Sequence, residues 1–457
     1  MEINKNRLFL GSCFALITTA FSFSIRAGIL PQLAKDFNLS AEQLGFINSM
    51  WFLGFPIAMI IGGLVYHTFG PKKIMMTAFV CHTLGILLTL YPQILGGYTG
   101  LLISTFLIGI GNGCTEAACN PMIADTYQGS EMSTMLNRFH MWFPGGIVVG
   151  SLISKFMTDA NLGWQAQIWF ILIPTLIYAY LFWGQTFPKP KTEGVTSISE
   201  NFKAMATPLY IFMFACMALT AISEFGPQQW TGLIMSKSGA SPMIILALVT
   251  GLMAVARYFA GPIVKRFDQT GVLLGSAILA TIGIYLFSIS TGGMTYVAAI
   301  FFALGVAYFW PNMVGFIAEK VPLSGALGMS IIGGVGMFST AIFQPIIGHW
   351  IDSNVAVKSA AIGLTKDNFK DLEKFSQQLA DKKIDLEKLT ALAKQGIENV
   401  ENFKVSESIE KLTKYNDIVL TSGQSTLSTM TLFPLILIFA FTFLYFWQKK
   451  RTVQLAL

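Results

Sequence analysis

Long apolar stretches alternate along the chain with short clusters of polar and turn-forming residues. Twelve of them reach the ~20 residues that a helix needs to cross a bilayer's hydrocarbon. They lie at about 8–30, 44–66, 74–95, 100–124, 134–157, 165–187, 207–235, 243–264, 270–290, 294–317, 325–350 and 427–447. Two polar segments interrupt the rhythm. The run TFPKPKTEGVTSISENFKAMATP has prolines that stop both flanking helices, and it separates six stretches from six. Beyond the eleventh stretch, Phe369, Leu372, Phe375 and Leu379, then Ile384, Leu386, Leu389 and Leu392, recur at near-helical spacing among charged residues. That spacing predicts two or three amphipathic helices outside the membrane. The pattern as a whole predicts an all-α polytopic membrane protein with twelve transmembrane helices in two pseudo-symmetric bundles. The expected divisions are an N-terminal six-helix bundle (1–187), a cytoplasmic central loop (188–206), helices seven to eleven (207–351), an extracytoplasmic helical insertion (352–425), and a twelfth helix with a cytoplasmic tail (426–457). For the insertion two readings stay open, a cap over the outer mouth and a solvated spacer.

Composition agrees with the pattern. Of the 457 residues 53% are hydrophobic and 12% charged, about half the charge of an average soluble protein, which excludes an ordinary soluble enzyme and a disordered chain. Residues 352–420 hold 11 Lys and 12 Asp or Glu, so the remaining charges are scarce. A cleaved signal peptide is not expected, because the first stretch is long, lacks a small-residue cleavage site and includes Arg26.

Counting Lys and Arg beside the helix ends sets the orientation. With the N-terminus inside, 14 fall on the cytoplasmic side (Lys5, Arg7, Lys72, Lys73, Arg138, Lys189, Lys191, Lys203, Lys265, Arg266, Lys320, Lys449, Lys450 and Arg451) and 3 on the outer side (Lys35, Lys155 and Lys237). Both termini are therefore expected in the cytoplasm of a multi-pass plasma (inner) membrane protein. The net charge of +6 belongs to these loops rather than to a nucleic-acid surface. Cys13, Cys81, Cys114, Cys119 and Cys216 all fall inside predicted helices without metal-ligand or disulfide spacing, and read as packing residues. The chain lacks a Walker loop, an HExxH motif and clustered His and Cys ligands, so no cofactor and no metal are expected.

A charge at the bilayer centre costs about 2.5 to 3.5 kcal/mol on insertion scales, which makes each one a site hypothesis. Arg26, Glu116, His140, Glu224 and Arg257 are the candidates, with His82 a weaker one. Asn112, Glu116 and Asn120 recur at i, i+4, i+8 and would set a carboxylate between two amides on one helix face. Desolvation there would raise its pKa toward neutrality unless a cation opposes it, as a proton carrier requires; a permanent salt bridge with Arg26 or another cation is the structural alternative. Asn137 and His140, at i, i+3, could bind a hydroxylated solute or tune Glu116, and a His satisfied within the bundle reads as well. Glu224 and Gln228 share a face beside Trp230, with Gly226 and Pro227 between them, which suits a polyhydroxyl ligand at a bent helix; an interfacial belt also explains the Trp. Arg26 and Arg257 fit bidentate capture of a carboxylate or phosphate, or structural pairing with the two acids.

GLVYHTFGPKK (63–73), echoed by GPIVKRFD (261–268) at the corresponding place in the second half, resembles the GxxxDRxGRR loop of the major facilitator superfamily. Gly63, Gly70, Lys72 and Lys73 match, while His67 and Thr68 replace an acid and a base. Within that superfamily the chain resembles the fucose-galactose-glucose:proton symporters. GIGNGCTEAACNP (109–121) is similar to that family's GxGxxxxExxxNP, whose acid is implicated in proton coupling and falls on Glu116. NRFHMWFPGG (137–146) is similar to NxxHxFxxxG, mapping Asn137 and His140, SEFGPQQW (223–230) resembles the ExxxGxW-like start of its seventh helix, and ARYFAG resembles the GRFxG of its eighth, matching Arg257. FWPNMVGFIAE and IIGGVGMFSTAIFQPIIG resemble its tenth and eleventh helices. The family's acid four positions before a proline in the first helix is here Ala27, preceded by Arg26. A site that has lost an acid and gained a cation points toward an acidic or phosphorylated sugar, or toward coupling through Glu116 alone.

The resemblance implies the major facilitator fold and a secondary active transporter, not an enzyme, that carries a sugar or sugar derivative with protons by alternating access. Its partners would be a small polar solute, protons and the lipid bilayer, with no nucleic acid, and a monomer is expected. Glu116 and His140 are the expected coupling residues. Arg26, Asn112, Asn120, Asn137, Glu224, Gln228, Trp230, Arg257, Asn312 and Gln344 are the expected cavity residues. The rival readings are an organic-anion or drug transporter that uses Arg26 and Arg257, and a non-transporting receptor.

Overall fold

The computed structural model describes residues 3–127, 135, 138–189, 198–400 and 403–456. Among them, ten helices are long and apolar enough to cross a membrane: Lys5–Phe37 (span 1), Ala41–Tyr66 (span 2), Thr68–Leu90 (span 3), Tyr98–Thr126 (span 4), Trp164–Phe182 (span 6), Pro208–Ile234 (span 7), Arg266–Ile289 (span 9), Met294–Lys320 (span 10), Leu327–Ala361 (span 11) and Val405–Lys450 (span 12). Trp142–Asp159 (span 5) and Pro242–Tyr258 (span 8) complete twelve. Both are short, and they pack against each other across the middle of the molecule. Span 5 is rich in small residues because it lies against span 1: Gly146 meets Ala20 and Gly150 meets Ser24 with no space for a side chain.

The internal echo has a backbone counterpart. Spans 2 and 3 run on through a break at Gly70, whose φ is 71°. The second half has the same break at Asp268, seven residues after Gly261 as Gly70 is seven after Gly63, with φ of 54°. A positive φ suits Gly, which has no Cβ to clash. Asp268 is tolerated there because its carboxylate accepts from Thr270 Oγ1 at 2.6 Å and Gly271 N at 2.8 Å, capping the helix that follows.

Span 10 is likewise broken, into Met294–Val306 and Phe309–Lys320. Pro311 has no N–H to give the carbonyl of Ala307, four residues back. That freed oxygen accepts from Arg257 Nε of span 8 at 2.8 Å instead.

At the end of the bundle that carries the insertion, the two halves meet backbone to backbone. Gly45 of span 2 lies on Gln344 and Pro345 of span 11, Gly348 of span 11 on Ala41, and Gly232 of span 7 on the carbonyl of Ala27 in span 1. The last is a second freed carbonyl, left without an N–H partner by Pro31. Span 2 is also capped in part from the other half. Asp352 of span 11 accepts from Ala41 N at 3.0 Å and Glu42 N at 2.9 Å, while Ser40 takes Gln43 N at 3.2 Å. Toward the opposite end packing loosens: Glu116, Asn120, Arg257 and Trp310 keep partial exposure, and Gly63 and Gly145 have open space beside them.

Span 11 continues past the expected 350 to Ala361, and the helix leading into span 12 starts at Val405 rather than 427. Between them stand helices Lys366–Asp381 and Leu386–Lys394 and a two-stranded hairpin, Asn399–Val400 with Phe403–Lys404, an element that helical periodicity cannot announce. The segment has its own small core of Leu379, Ile384, Leu389 and Leu412. Lys35, at the end of span 1, bonds to Asp381 at 2.9 Å and holds that carboxyl below its ordinary range. Lys237, after span 7, sits 5.4 Å over the ring of Tyr415.

Asp352→Ala leaves two amides of span 2 without their cross-half acceptor, at a cost of about 1 kcal/mol to the closed end. Spin labels at Leu39 and Ser353 should then show a larger population of long distances, and an unchanged distance distribution would count against this closure.

Candidate functional site

Arg26 stands where span 1 crosses spans 2 and 7, and it is 6% exposed. Its Nε donates to Asn48 Oδ1 at 3.0 Å and its Nη2 to Gln229 Oε1 at 2.8 Å. Gln229 in turn donates to the Phe23 carbonyl at 3.3 Å, so the guanidinium ties span 1 of one half to span 7 of the other. Its planar head lies 5.2 Å over the ring of Trp51, a cation–π contact. Among the described residues it has no carboxylate partner. Two of its five N–H donors meet protein oxygens, which leaves the others for a ligand.

Aromatic rings close the approach to Arg26 from the loosely packed end. Phe23, one turn earlier on span 1, packs edge-on against Phe52, Phe143 and Phe225 at 6.2, 6.1 and 6.0 Å, and Phe225 meets Trp310 at 6.1 Å. From the insertion end the glycine contacts close it. Two neighbouring amides are short of partners: Asn48 Nδ2, and Gln344 at both Nε2 and Oε1. Gly45, one turn from Asn48, touches the backbone of Gln344. Buried amides left unfilled are costly, and a ligand that supplied acceptors and a donor would relieve that cost.

The other sequence candidates divide. Glu224 and Arg257 pair with each other, Oε1 to Nη2 at 3.6 Å, with Glu224 buried and Arg257 partly exposed. Gln228 reaches only Met253 Sδ at 3.6 Å. Trp230 is fully buried with its Nε1 unpartnered, which sets aside an interfacial belt for it, and Asn312 Nδ2 is also unpartnered. Glu116 is half-buried and accepts from Asn120 Nδ2 at 2.6 Å. It does not share that role with Asn112, which is fully buried and bonds instead to His82 at 2.9 Å and Ser22 at 3.3 Å. The expected triad of acid and two amides is thus a pair, because Asn112 turns to the interior of the first half. Nor does Glu116 pair with Arg26.

His140 lies in a helical segment, 138–140, that a turn at Met141 separates from Trp142–Asp159. It is exposed, its ring edge-on to Phe139 at 5.0 Å. Asn137 and the side chain of His67 lie outside the described residues. Gly63 ends in open space, Gly70 forms the break between spans 2 and 3, and of the two lysines after it Lys73 stacks on Phe69 at 5.4 Å while Lys72 is exposed. The residues that sequence reasoning passed over are Asn48, Trp51 and Gln229. The rule applied to charges at membrane depth finds Asn48 and Gln229 once amides are included. The five cysteines are free, and no group of metal-ligating side chains occurs among the described residues.

Comparison with known proteins bears on the fold first. The sequence profile described as Major Facilitator Superfamily matches residues 12–343. The chain is similar to the hexuronate transporter of Bacillus subtilis, 27% identical over 179 residues, which covers 39% of this chain and 41% of that protein, less than half of that relative's length. It is also similar to the cis,cis-muconate transport protein of Acinetobacter baylyi, 22% identical over 365 residues, 74% of this chain and 86% of that one. Among solved structures, a bacterial homolog of the human lysosomal transporter Spinster superposes with a TM-score of 0.71 over 96% of each chain at 14% identity, a likeness of fold.

Removing one member of a buried ion pair strands the other, whereas removing both is close to neutral. Arg257→Gln should therefore destabilise the protein by about 2 kcal/mol or more, with the partial exposure of Arg257 reducing the full buried-pair figure, and adding Glu224→Gln should restore most of the loss. Thermal unfolding in detergent measures both; equal melting temperatures for the single and double variants would contradict the pairing.

Proposed function

The chain belongs to the Major Facilitator Superfamily, and from that premise we propose that this multi-pass membrane transporter carries a small organic anion of the sugar-acid class by alternating access. The observation that carries the reading is Arg26: a buried guanidinium at the seam of the two halves, held by amide oxygens and an indole face and by no acid among the described residues. Neutral oxygens orient the guanidinium without cancelling its charge. A ligand carboxylate would supply the missing charge and accept the spare N–H donors in bidentate geometry. Two relatives named for carboxylate substrates, a hexuronate and muconate, support the class.

The sugar part of the reading rests on the motif resemblance to the fucose-galactose-glucose:proton symporters, and on the exchange of that family's first-helix acid for Ala27 beside Arg26. Arg257 is committed to Glu224 and to the Ala307 carbonyl, so Arg26 is the stronger anchor of the two. Proton coupling is assigned to Glu116, a half-buried acid whose hydrogen-bond partner is an amide rather than a cation; protonation there removes a charge that resists burial when the carrier reorients. The two six-helix halves are the moving bodies, 1–187 and 207–351 joined by 426–457. Both termini face the cytoplasm of the inner membrane, on the strength of 14 basic residues against 3.

Two measurements test this. Purified protein should bind D-glucuronate in preference to D-glucose, and Arg26→Gln should weaken glucuronate roughly ten- to a hundredfold, the worth of a charge-assisted hydrogen bond; equal binding of both sugars by the wild type would end the anion reading. In proteoliposomes Glu116→Gln should abolish accumulation driven by a pH gradient while leaving exchange of internal for external solute intact. Undiminished gradient-driven uptake by that variant would remove Glu116 from the coupling step.

A further inference from the structure

Behind Arg26 the first half contains a continuous chain of hydrogen-bonded side chains that the transport reading does not use. The hydroxyl of Tyr178, in span 6, lies 2.9 Å from Nδ1 of His82 in span 3. Nε2 of His82 lies 2.9 Å from Oδ1 of Asn112 in span 4. An amide oxygen can only accept, so Nε2 is the donor and Nδ1 takes the tyrosine proton. Asn112 Nδ2 then donates to Ser22 Oγ in span 1 at 3.3 Å, and the indole N–H of Trp51 in span 2 donates to the same oxygen at 3.0 Å. Ser22 Oγ itself donates a hydrogen bond to the Thr19 carbonyl at 2.8 Å. The chain ends at the face of Trp51, under the guanidinium of Arg26. None of the five side chains from Tyr178 to Trp51 is more than 3% exposed.

The linkage is specific in its chemistry. A neutral imidazole presents an acceptor at one ring nitrogen and a donor at the other at fixed separation, so His82 can join a hydroxyl to an amide oxygen across the interior. Span 4 makes room for it: a Cβ at Gly111 would run into the His82 ring. Fixing the amide of Asn112 fixes which of its ends faces Ser22, and that in turn pins the indole N–H. With its ring stacked on Phe55 at 5.6 Å and bordered by Phe52 at 4.9 Å, Trp51 then has one orientation to offer.

We propose that His82 is a positioning residue for Arg26: through Asn112, Ser22 and Trp51 it sets the plane in which the guanidinium meets a substrate carboxylate. The proposal rests on the reading of Arg26 as the anion anchor. It concerns geometry rather than charge, so it predicts a loss of discrimination between an acid sugar and its neutral counterpart.

The test compares kcat/KM for D-glucuronate with that for D-glucose in proteoliposomes containing the full chain. This ratio does not depend on how much of each preparation is folded, so a merely structural role for His82 would leave it unmoved. His82→Leu should lower the wild-type ratio about tenfold, less than the roughly hundredfold loss that a 1 Å misplacement can bring. Ser22→Ala, a smaller change that removes the shared acceptor together with its local bond to the Thr19 carbonyl, should lower it comparably, and the double variant should fall no further than either single one. A wild-type ratio near one overturns the anion reading and this proposal with it. A wild-type preference that persists in both His82→Leu and Ser22→Ala overturns the positioning role and leaves the anion reading standing.

Discussion

A guanidinium taken out of water must be given oxygens, and the way Arg26 receives them organises the centre of the molecule. Its acceptors are the side-chain oxygens of Asn48 and Gln229, one from each half. They satisfy hydrogen bonds at little cost in specificity of charge, whereas a protein carboxylate would have locked the cation into a buried pair. The same seam is held by Trp51, whose ring is placed from beneath by Ser22. On the proposed reading, substrate and Gln229 share one guanidinium, so binding and the contact between the halves are linked by a single group. A ligand that interacts differently with two arrangements of the halves shifts their populations by that difference.

Prolines and glycines do complementary work around this centre. Pro31 and Pro311 each free a carbonyl in a membrane-spanning helix, and lipid offers such an oxygen no partner. The Ala307 oxygen accepts from Arg257, while the Ala27 oxygen lies close against Gly232. Both contacts are with a neighbouring helix, so a local break in one helix becomes an interhelical contact. The remaining glycines at the insertion end, Gly45 and Gly348, let two backbones touch, an approach that favours van der Waals packing where the hydrophobic effect cannot drive association.

The insertion adds a further constraint of a different kind. It is attached through spans 11 and 12, yet Lys35 of span 1 is bonded to its Asp381. Both side chains are substantially exposed, so the link is weak in energy. Its place matters more than its strength, because it crosses from one half of the molecule to the other at the closed end, alongside the Asp352 cap on span 2.

The number of membrane crossings, the split into two sets of six and the repeated turn at Gly70 and Asp268 were legible in the chain, because they depend on lengths of apolar sequence and on residues that act locally on their own backbone. The presence of charges at membrane depth was legible for the same reason: hydropathy exposes what lipid penalises. Which group each charge would face was not. Glu224 and Arg257 lie 33 positions apart, Arg26 and Gln229 203 positions apart, and helical periodicity assigns a face without naming its neighbour. Asn112, Glu116 and Asn120 share that periodicity, yet the packing of spans 3 and 6 draws Asn112 inward to His82 and leaves Glu116 with Asn120 alone. The sequence thus determined that polar groups would be buried, since that is a property of each helix by itself. Only the tertiary structure decided their partners, since a hydrogen bond spans 3 Å or so and that distance is fixed by how separate helices pack.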